Sequence, residues 1–312
     1  FGIALVYADL GTMDFAQVAR LLSSGAGLNL ALLLPGAVLI LTGIGFKLAL
    51  VPFHMWAPDV YEGAPAPVTA FIATVSKGGM FALLLRYFSQ AGADRLPSLL
   101  LVISIIAIAS MVAGNLLGLF EHNVKRILAY SSIAHMGYLL VALEVSSSLG
   151  ANAVAFYLVA YFVMTLGAFG VVTILSSRER DADRLEDYRG LFWRRPALAL
   201  VFTAMLLSLA GIPLTVGFLG KVYIVAAGAA SKAWLLILIL VITSTMGLFY
   251  YLRVVTALYQ HPAEDAEIPQ PLPCRAPAAI AALAALTVIV IWLGVYPAPL
   301  LKVIQTAIGS LL

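Results

Sequence analysis

The sequence predicts an all-α, polytopic membrane protein with two discontinuous transmembrane helices, and three observations carry that expectation. The chain is 62% hydrophobic and 11% charged, with a mean hydropathy of +1.03, whereas soluble domains run near 25% charged. Its apolar runs are about 20 residues long and do not alternate, which suits helices crossing a hydrocarbon core of about 30 Å and not barrel strands. Two of the runs are interrupted by glycine and proline, which break helices.

Taken in order, Phe1–Tyr7 reads as the end of a spanning helix, and the opening FGIALVYADLG has no signal-peptide pattern. A C-terminal portion of a longer protein, lacking its N-terminal helices, is therefore expected. A polar connection through Asp9, Asp14 and Arg20 follows. Spans are predicted at roughly 31–53, 68–88, 97–119, 126–146, 152–176, 196–228, 233–258 and 277–297.

The first interrupted segment, about 31–60, carries Gly43, Gly45 and Pro52. The second, 196–228, is too long for one simple crossing and carries Gly211, Pro213, Gly217 and Gly220. Proline removes a backbone donor and clashes with the preceding turn, so each segment is expected to split into two half-helices. Paired interrupted segments in the two halves of a transporter point to its ion site, although a kinked packing helix would look alike. The alternating loops place Lys125, Arg126, Arg178, Arg180, Arg184, Arg189, Arg194, Arg195, Arg253 and Arg275 on one side. The other side receives Arg20, Arg86, Arg95, Lys232 and Lys302, so the first side is assigned to the cytoplasm. The mixed-charge stretch 176–195 then reads as a solvated cytoplasmic connection with a helical turn. HPAEDAEIPQPLPCRAP (261–277) reads as a Pro-rich cytoplasmic loop.

Composition also excludes chemistry. A net charge of +3 with no basic run gives no reason to expect nucleic acid as a partner. Cys274 is the single cysteine, so a thiolate cluster or disulfide within the chain is excluded. No HExxH, CxxC, GxGxxG or Walker pattern occurs, and no metal, haem or nucleotide site is supported.

What remains are cations in apolar runs. Lys47 in LILTGIGFKLALVPFHMW, Lys77 in PVTAFIATVSKGGMFALLL and Lys221 in LSLAGIPLTVGFLGKVYIV have no acid close by in sequence. A cation near the bilayer centre costs about 2.5–3.5 kcal/mol, so a wet cavity or a partner is expected. Lysine, unlike arginine, sheds and regains a proton when buried, which makes all three proton-relay candidates. The plain alternative, a lysine snorkelling to the interface, fits Lys232 and Lys302 at span ends. His135 lies inside its span, with Ser131, Ser132 and Tyr138 at helical spacing. It is the fourth relay candidate, against the alternative of a histidine that only bonds a neighbouring helix. Asp59 and Glu62, beside His54 and Tyr61, could gate proton entry, but an Asp before a turn is more often a cap; these residues, like Glu121 and His122, are assigned structural roles.

At PFHMWAPDVYEGAPAPVTAF the chain resembles the antiporter-like membrane subunits of bacterial respiratory complex I, the proton-pumping NADH:quinone oxidoreductase. NVKRILAYSSIAHMGYLLVAL, DYRGLFWRRP, LSLAGIPLTVGFLGKVYI and YYLRVVTALY extend the resemblance over nearly the whole chain. Sister subunits share PxHxWxPD but continue it differently, and cation/proton antiporter complexes and membrane-bound hydrogenases match only the general pattern. The resemblance implies an antiporter-like bundle with inverted repeats. Residues 1–90 would end the first repeat with its broken helix and the central-lysine helix 68–88. Residues 97–258 would form the second repeat, and 259–312 a cytoplasmic loop and final helix. It implies that Lys47 and Lys221 are the lysines of the two broken helices and Lys77 the central one, with His135 on the polar axis between. A glutamate paired with the lysine matching Lys47 would precede the region covered. No redox group would bind here: FMN, iron–sulfur clusters and quinone belong to partner subunits. The implied neighbours are another antiporter-like subunit and a small three-helix subunit, in the bacterial cytoplasmic membrane. The competing expectations are a sodium/proton antiporter acting without NADH and a membrane spacer that conducts nothing.

Overall fold

The computed structural model describes residues 1–24, 28–91, 97–145, 148–177, 180–261 and 277–309. The Pro-rich loop and Cys274 lie outside the described residues, as do Arg95, Arg178 and Arg275. Among those described, the regular elements are helices. They are α1 (Gly2–Leu10), α2 (Phe15–Ser24), α3 (Leu30–Leu48), α4 (Trp56–Gly63), α5 (Ala66–Phe71), α6 (Lys77–Ala91), α7 (Pro97–Phe120) and α8 (Val124–Leu143). There follow α9 (Ser148–Leu175), α10 (Leu191–Arg194), α11 (Pro196–Ala210), α12 (Val216–Ala230), α13 (Trp234–Tyr259), α14 (Pro277–Val295) and α15 (Ala298–Gly309).

Among the described residues, seven helices are long and apolar enough to cross a membrane, with α5 and α6 counted as one through a π-helical turn at Ile72–Ser76. The eighth expected crossing is the tandem of α11 and α12, each 15 residues long. Two short helices differ from expectation. The connection through Asp9, Asp14 and Arg20 contains α2, whose Phe15 packs edge-on against Tyr87 of α6. Beyond the last expected span, Pro297 stops α14 and α15 begins.

The helix at the centre is α8. Its mean hydropathy, 1.3, is the lowest of the seven spans, which otherwise run from 1.7 to 2.6. Yet 94% of it is buried, against 17–56% for the others. A helix that is polar and enclosed faces protein on all sides, so its Ser, His and Tyr side chains are spared lipid. Small residues permit this enclosure. A Cβ on Gly114 would lie 2.7 Å from Ala134 N, and one on Gly137 2.9 Å from Met111 Cγ, so α7 lies close against α8.

Both expected breaks occur. The first comes earlier than Pro52: α3 ends at Leu48, and Ala49 takes the left-handed conformation at φ 59°. Pro52 lies in the turn before α4, and the 3.0 Å bond from Val51 N–H to Ser110 Oγ ties that turn to α7. The second break is at Gly211, φ 86°, and Pro213 lies in the turn before α12.

On the side assigned to the cytoplasm, the connection 176–195 is more than solvated loop. It carries the helical turn Leu185–Tyr188, and Tyr188 is fully buried. Asp181 accepts from Lys125 Nζ at 2.6 Å and from Ala66 N–H at 3.0 Å. Arg126 binds Asp59, Glu62 and Glu121. These bonds tie the start of α8 to the corner between α4 and α5, which gives Asp59, Glu62 and Glu121 the structural roles expected of them.

A buried axis of lysine, histidine and tyrosine

Lys77 follows the π-helical turn and is wholly buried. Its Nζ donates to Ser132 Oγ of α8 at 2.7 Å and lies 5.7 Å from the Tyr61 ring centroid. Ser132 Oγ also accepts from the Tyr161 hydroxyl of α9 at 2.6 Å, so Lys77 and Tyr161 fill both its lone pairs. The serine proton is left to point at Tyr61 Oη, 3.4 Å away. No carboxylate bonds Lys77 among the described residues.

One turn along α8, both ring nitrogens of His135 meet phenols. Tyr157 Oη is 2.8 Å from Nδ1, and Tyr251 Oη of α13 is 3.3 Å from Nε2. A neutral imidazole has one donor and one acceptor nitrogen, so one tyrosine donates to the ring while the other accepts. Tyr251 also bonds the Ser131 hydroxyl. The Tyr161 ring lies 5.4 Å from the imidazole, so the Lys77 and His135 groups are in contact. Glycine makes the approach of Tyr157 possible, since a Cβ on Gly220 would lie 2.4 Å from its ring.

Lys221 is held differently. Its Nζ donates to Leu209 O at 3.1 Å, Ala210 O at 2.8 Å and Ser244 Oγ at 2.7 Å. Three ammonium protons thus find three acceptors. Two of these are carbonyls that the end of α11 leaves without an intrahelical partner, at the negative end of its dipole. The second break therefore makes a cation site.

At the first break no lysine bonds the helix-end carbonyls among the described residues. The Gly45 and Phe46 carbonyls accept from Leu50 N–H and Ala49 N–H, and Trp56 Nε1–H donates to Phe46 O at 2.9 Å. Lys47 is exposed, with no partner among the described residues. The structure brings Lys77, His135 and Lys221 together and leaves Lys47 outside.

Several members of the axis have no counterpart in the sequence reading: Tyr157, Tyr161, Tyr251 and Ser244. One signal was available, since Tyr157 and Tyr161 are four residues apart and share a helix face. Lys125, read as a loop cation, is 1% exposed and paired with Asp181. Among the described residues no three His, Cys, Asp or Glu side chains gather to hold a metal ion.

With this geometry in hand, similarity to known proteins is informative. The family model described as NADH:quinone oxidoreductase/Mrp antiporter, TM, matches residues 1–247. The chain is 55% identical to NADH-quinone oxidoreductase subunit N of Nitrosospira multiformis, over 100% of this chain and 64% of that protein. It is 51% identical to the protein of the same name from Methylococcus capsulatus, over 96% of this chain and 60% of the relative. The chain thus spans less than two thirds of the length of these relatives. Among solved structures, one chain of respiratory complex I from Thermus thermophilus is similar with a TM-score of 0.79 and 37% identity, over 96% of this chain and 64% of that one. A chain of the Mrp complex from a Dietzia species shares the fold at a TM-score of 0.85 and 24% identity, over 99% of this chain and 64% of that one.

Proposed function

The chain belongs to the NADH:quinone oxidoreductase/Mrp antiporter transmembrane family, and from that premise we propose that it is the proton-translocating part of a membrane subunit of a bacterial NADH-quinone oxidoreductase. The single observation that carries the reading is the arrangement of Lys77, His135 and Lys221 along one fully enclosed helix, with hydroxyls on each. Burying two lysines without a carboxylate costs several kcal/mol, a cost that packing alone does not explain. The names of relatives about half identical to the chain favour this reading over a stand-alone sodium/proton antiporter.

In this reading the steps belong to this chain's own side chains. Lys77 gives a proton to Ser132, the Ser132–Tyr161 pairing reverses to pass one on, and water carries it to His135 and from there toward Lys221. Each step moves charge through a buried region of low dielectric where electrostatics are strong, so a charge change at one end shifts proton occupancy along the row. Quinone reduction in partner subunits supplies that change. FMN, iron–sulfur clusters and quinone are bound elsewhere, and this chain acts as a non-redox translocase component. Its neighbours are a second antiporter-like subunit and a small three-helix subunit in the cytoplasmic membrane. Lys47 joins the path through a carboxylate supplied from outside the described residues.

The test is Lys77→Ala in the full-length subunit, assembled in the complex in membrane vesicles. NADH-driven quinone reduction and the proton gradient are recorded together. A lower gradient per electron is expected, and an unchanged gradient per electron in an assembled complex refutes the proposal. Sodium/proton exchange with no electron donor would favour the antiporter reading instead.

A further inference from the structure

Among the described residues no hydrogen bond joins His135 to Lys221 directly; Lys221 is linked to Tyr138 through Ser244, and the bonds that leave His135 take another course. From His135 they reach Tyr251, whose ring packs 4.5 Å from that of Tyr250. The Tyr250 hydroxyl donates to Asn115 Oδ1 at 3.1 Å. Asn115 Nδ2 donates in turn to the Tyr138 hydroxyl at 2.9 Å and to Met111 O at 2.8 Å. The Tyr138 ring touches both ends of the gap. It stands edge-to-face with His135 at 5.4 Å, and Lys221 Nζ lies over it at 5.4 Å.

Two properties follow from this chemistry. A carboxamide accepts at oxygen and donates at nitrogen, and it does not pass a proton from one to the other without becoming an imidic acid. Hydroxyl-to-hydroxyl transfer from Tyr250 to Tyr138 therefore ends at Asn115. The same amide also fixes the Tyr138 oxygen, which pins the ring against both His135 and Lys221. Its seat is built for it: a Cβ on Gly247 of α13 would lie 2.7 Å from Asn115 Oδ1. Asn115 is itself 1% exposed in an otherwise largely apolar α7.

We infer that Asn115 and Tyr138 are a positioning pair: the amide pins the Tyr138 ring against His135 and Lys221, and a proton crosses between those two only when the ring moves aside. The inference deepens the proton-translocation reading above and rests on it. Neither residue need carry the proton; together they set when the two carriers meet.

The experiment uses vesicles holding the whole complex with Tyr138→Phe, Asn115→Leu or Lys77→Ala. Two quantities are read: the proton gradient per electron, and passive proton conductance after an imposed pH step with no electron donor. A ring that is merely core packing would leave the second unmoved. Tyr138→Phe removes one oxygen and keeps the ring, and Asn115→Leu removes the anchor. Both are expected to raise passive conductance several-fold and to lower the gradient per electron. If Asn115→Leu does not assemble, Tyr138→Phe decides alone. Wild-type conductance and gradient in an assembled Tyr138→Phe complex overturn the pair. A silent Tyr138→Phe beside a defective Lys77→Ala condemns the pair only, whereas a silent Lys77→Ala condemns the translocation reading beneath it.

Discussion

The Cβ that Gly211 lacks would lie 2.9 Å from Cδ and 3.0 Å from Nζ of Lys221. The glycine that ends α11 thus serves twice, taking the left-handed conformation at φ 86° and leaving room for the lysine that binds the two carbonyls just before it. Gly211→Ala sets the left-handed penalty, about 1–2 kcal/mol, against a methyl group in the amine's place. The expected outcome is a lower melting temperature of the purified complex together with a reduced gradient per electron. A variant that melts early yet pumps normally would show that Lys221 does not need its carbonyl seat.

Ser132 is the hydrogen-bond partner of a buried lysine, so its loss should be felt in transfer more than in folding. Ser132→Ala removes one bond to a charged group, worth about 1.5 kcal/mol or roughly tenfold in rate. Ser132→Thr keeps the hydroxyl. Single-turnover proton uptake should slow about tenfold in the alanine variant and recover in the threonine variant. Equal rates in both would mean that Lys77 does not transfer through Ser132.

Much of the fold was legible because apolar runs and their interruptions are one-dimensional signals. Lys77, His135 and Lys221 stood out because a polar group in an apolar run is costly wherever the run lies. The tyrosines did not stand out. Tyr157, Tyr161 and Tyr251 read as packing residues in sequence, and only their meeting across α8, α9 and α13 turns their hydroxyls toward His135 and Ser132. Lys47 and Lys221 looked alike beside their breaks. They part because Lys47 lies on the helix before its break and is exposed, while Lys221 lies on the helix after its break and reaches back to the last two carbonyls of α11. The helices α2 and α15 were missed because they are short and carry polar residues among the apolar ones.

Lys125 and Asp181 offer a stability test away from the axis. The lysine is 1% and the aspartate 21% exposed, with 2.6 Å between them. Removing one partner of a buried pair leaves an uncompensated charge, at about 3–5 kcal/mol. Asp181→Asn should be the worse change, since it strands Lys125 with Ala64 O at 2.8 Å as its remaining acceptor. Lys125→Met should be milder, because water reaches Asp181, and the double variant should recover part of the loss. Thermal unfolding of the four complexes gives the comparison. Additive losses would show that the pair is not coupled.

Glu144, just past the end of α8, supplies a pH test. Its two carboxylate oxygens each lie 2.9 Å from Ser104 Oγ, and one hydroxyl proton serves only one of them at a time. Burial pushes the carboxyl up to about 7 from 4.5, and the Ser104 bond opposes this without cancelling it. A carboxyl raised in the folded state binds its proton more tightly there than in the unfolded chain. Its stabilising effect is therefore complete below about pH 4.5, declines as pH rises toward 7, and is absent above. The shift corresponds to at most about 3 kcal/mol, reduced because the side chain is only partly buried. Glu144→Gln removes the titration and keeps the shape. Between pH 5 and pH 8 the wild-type melting temperature should fall further than that of Glu144→Gln. Parallel curves would mean that the carboxyl is as well solvated in the folded protein as in the unfolded chain.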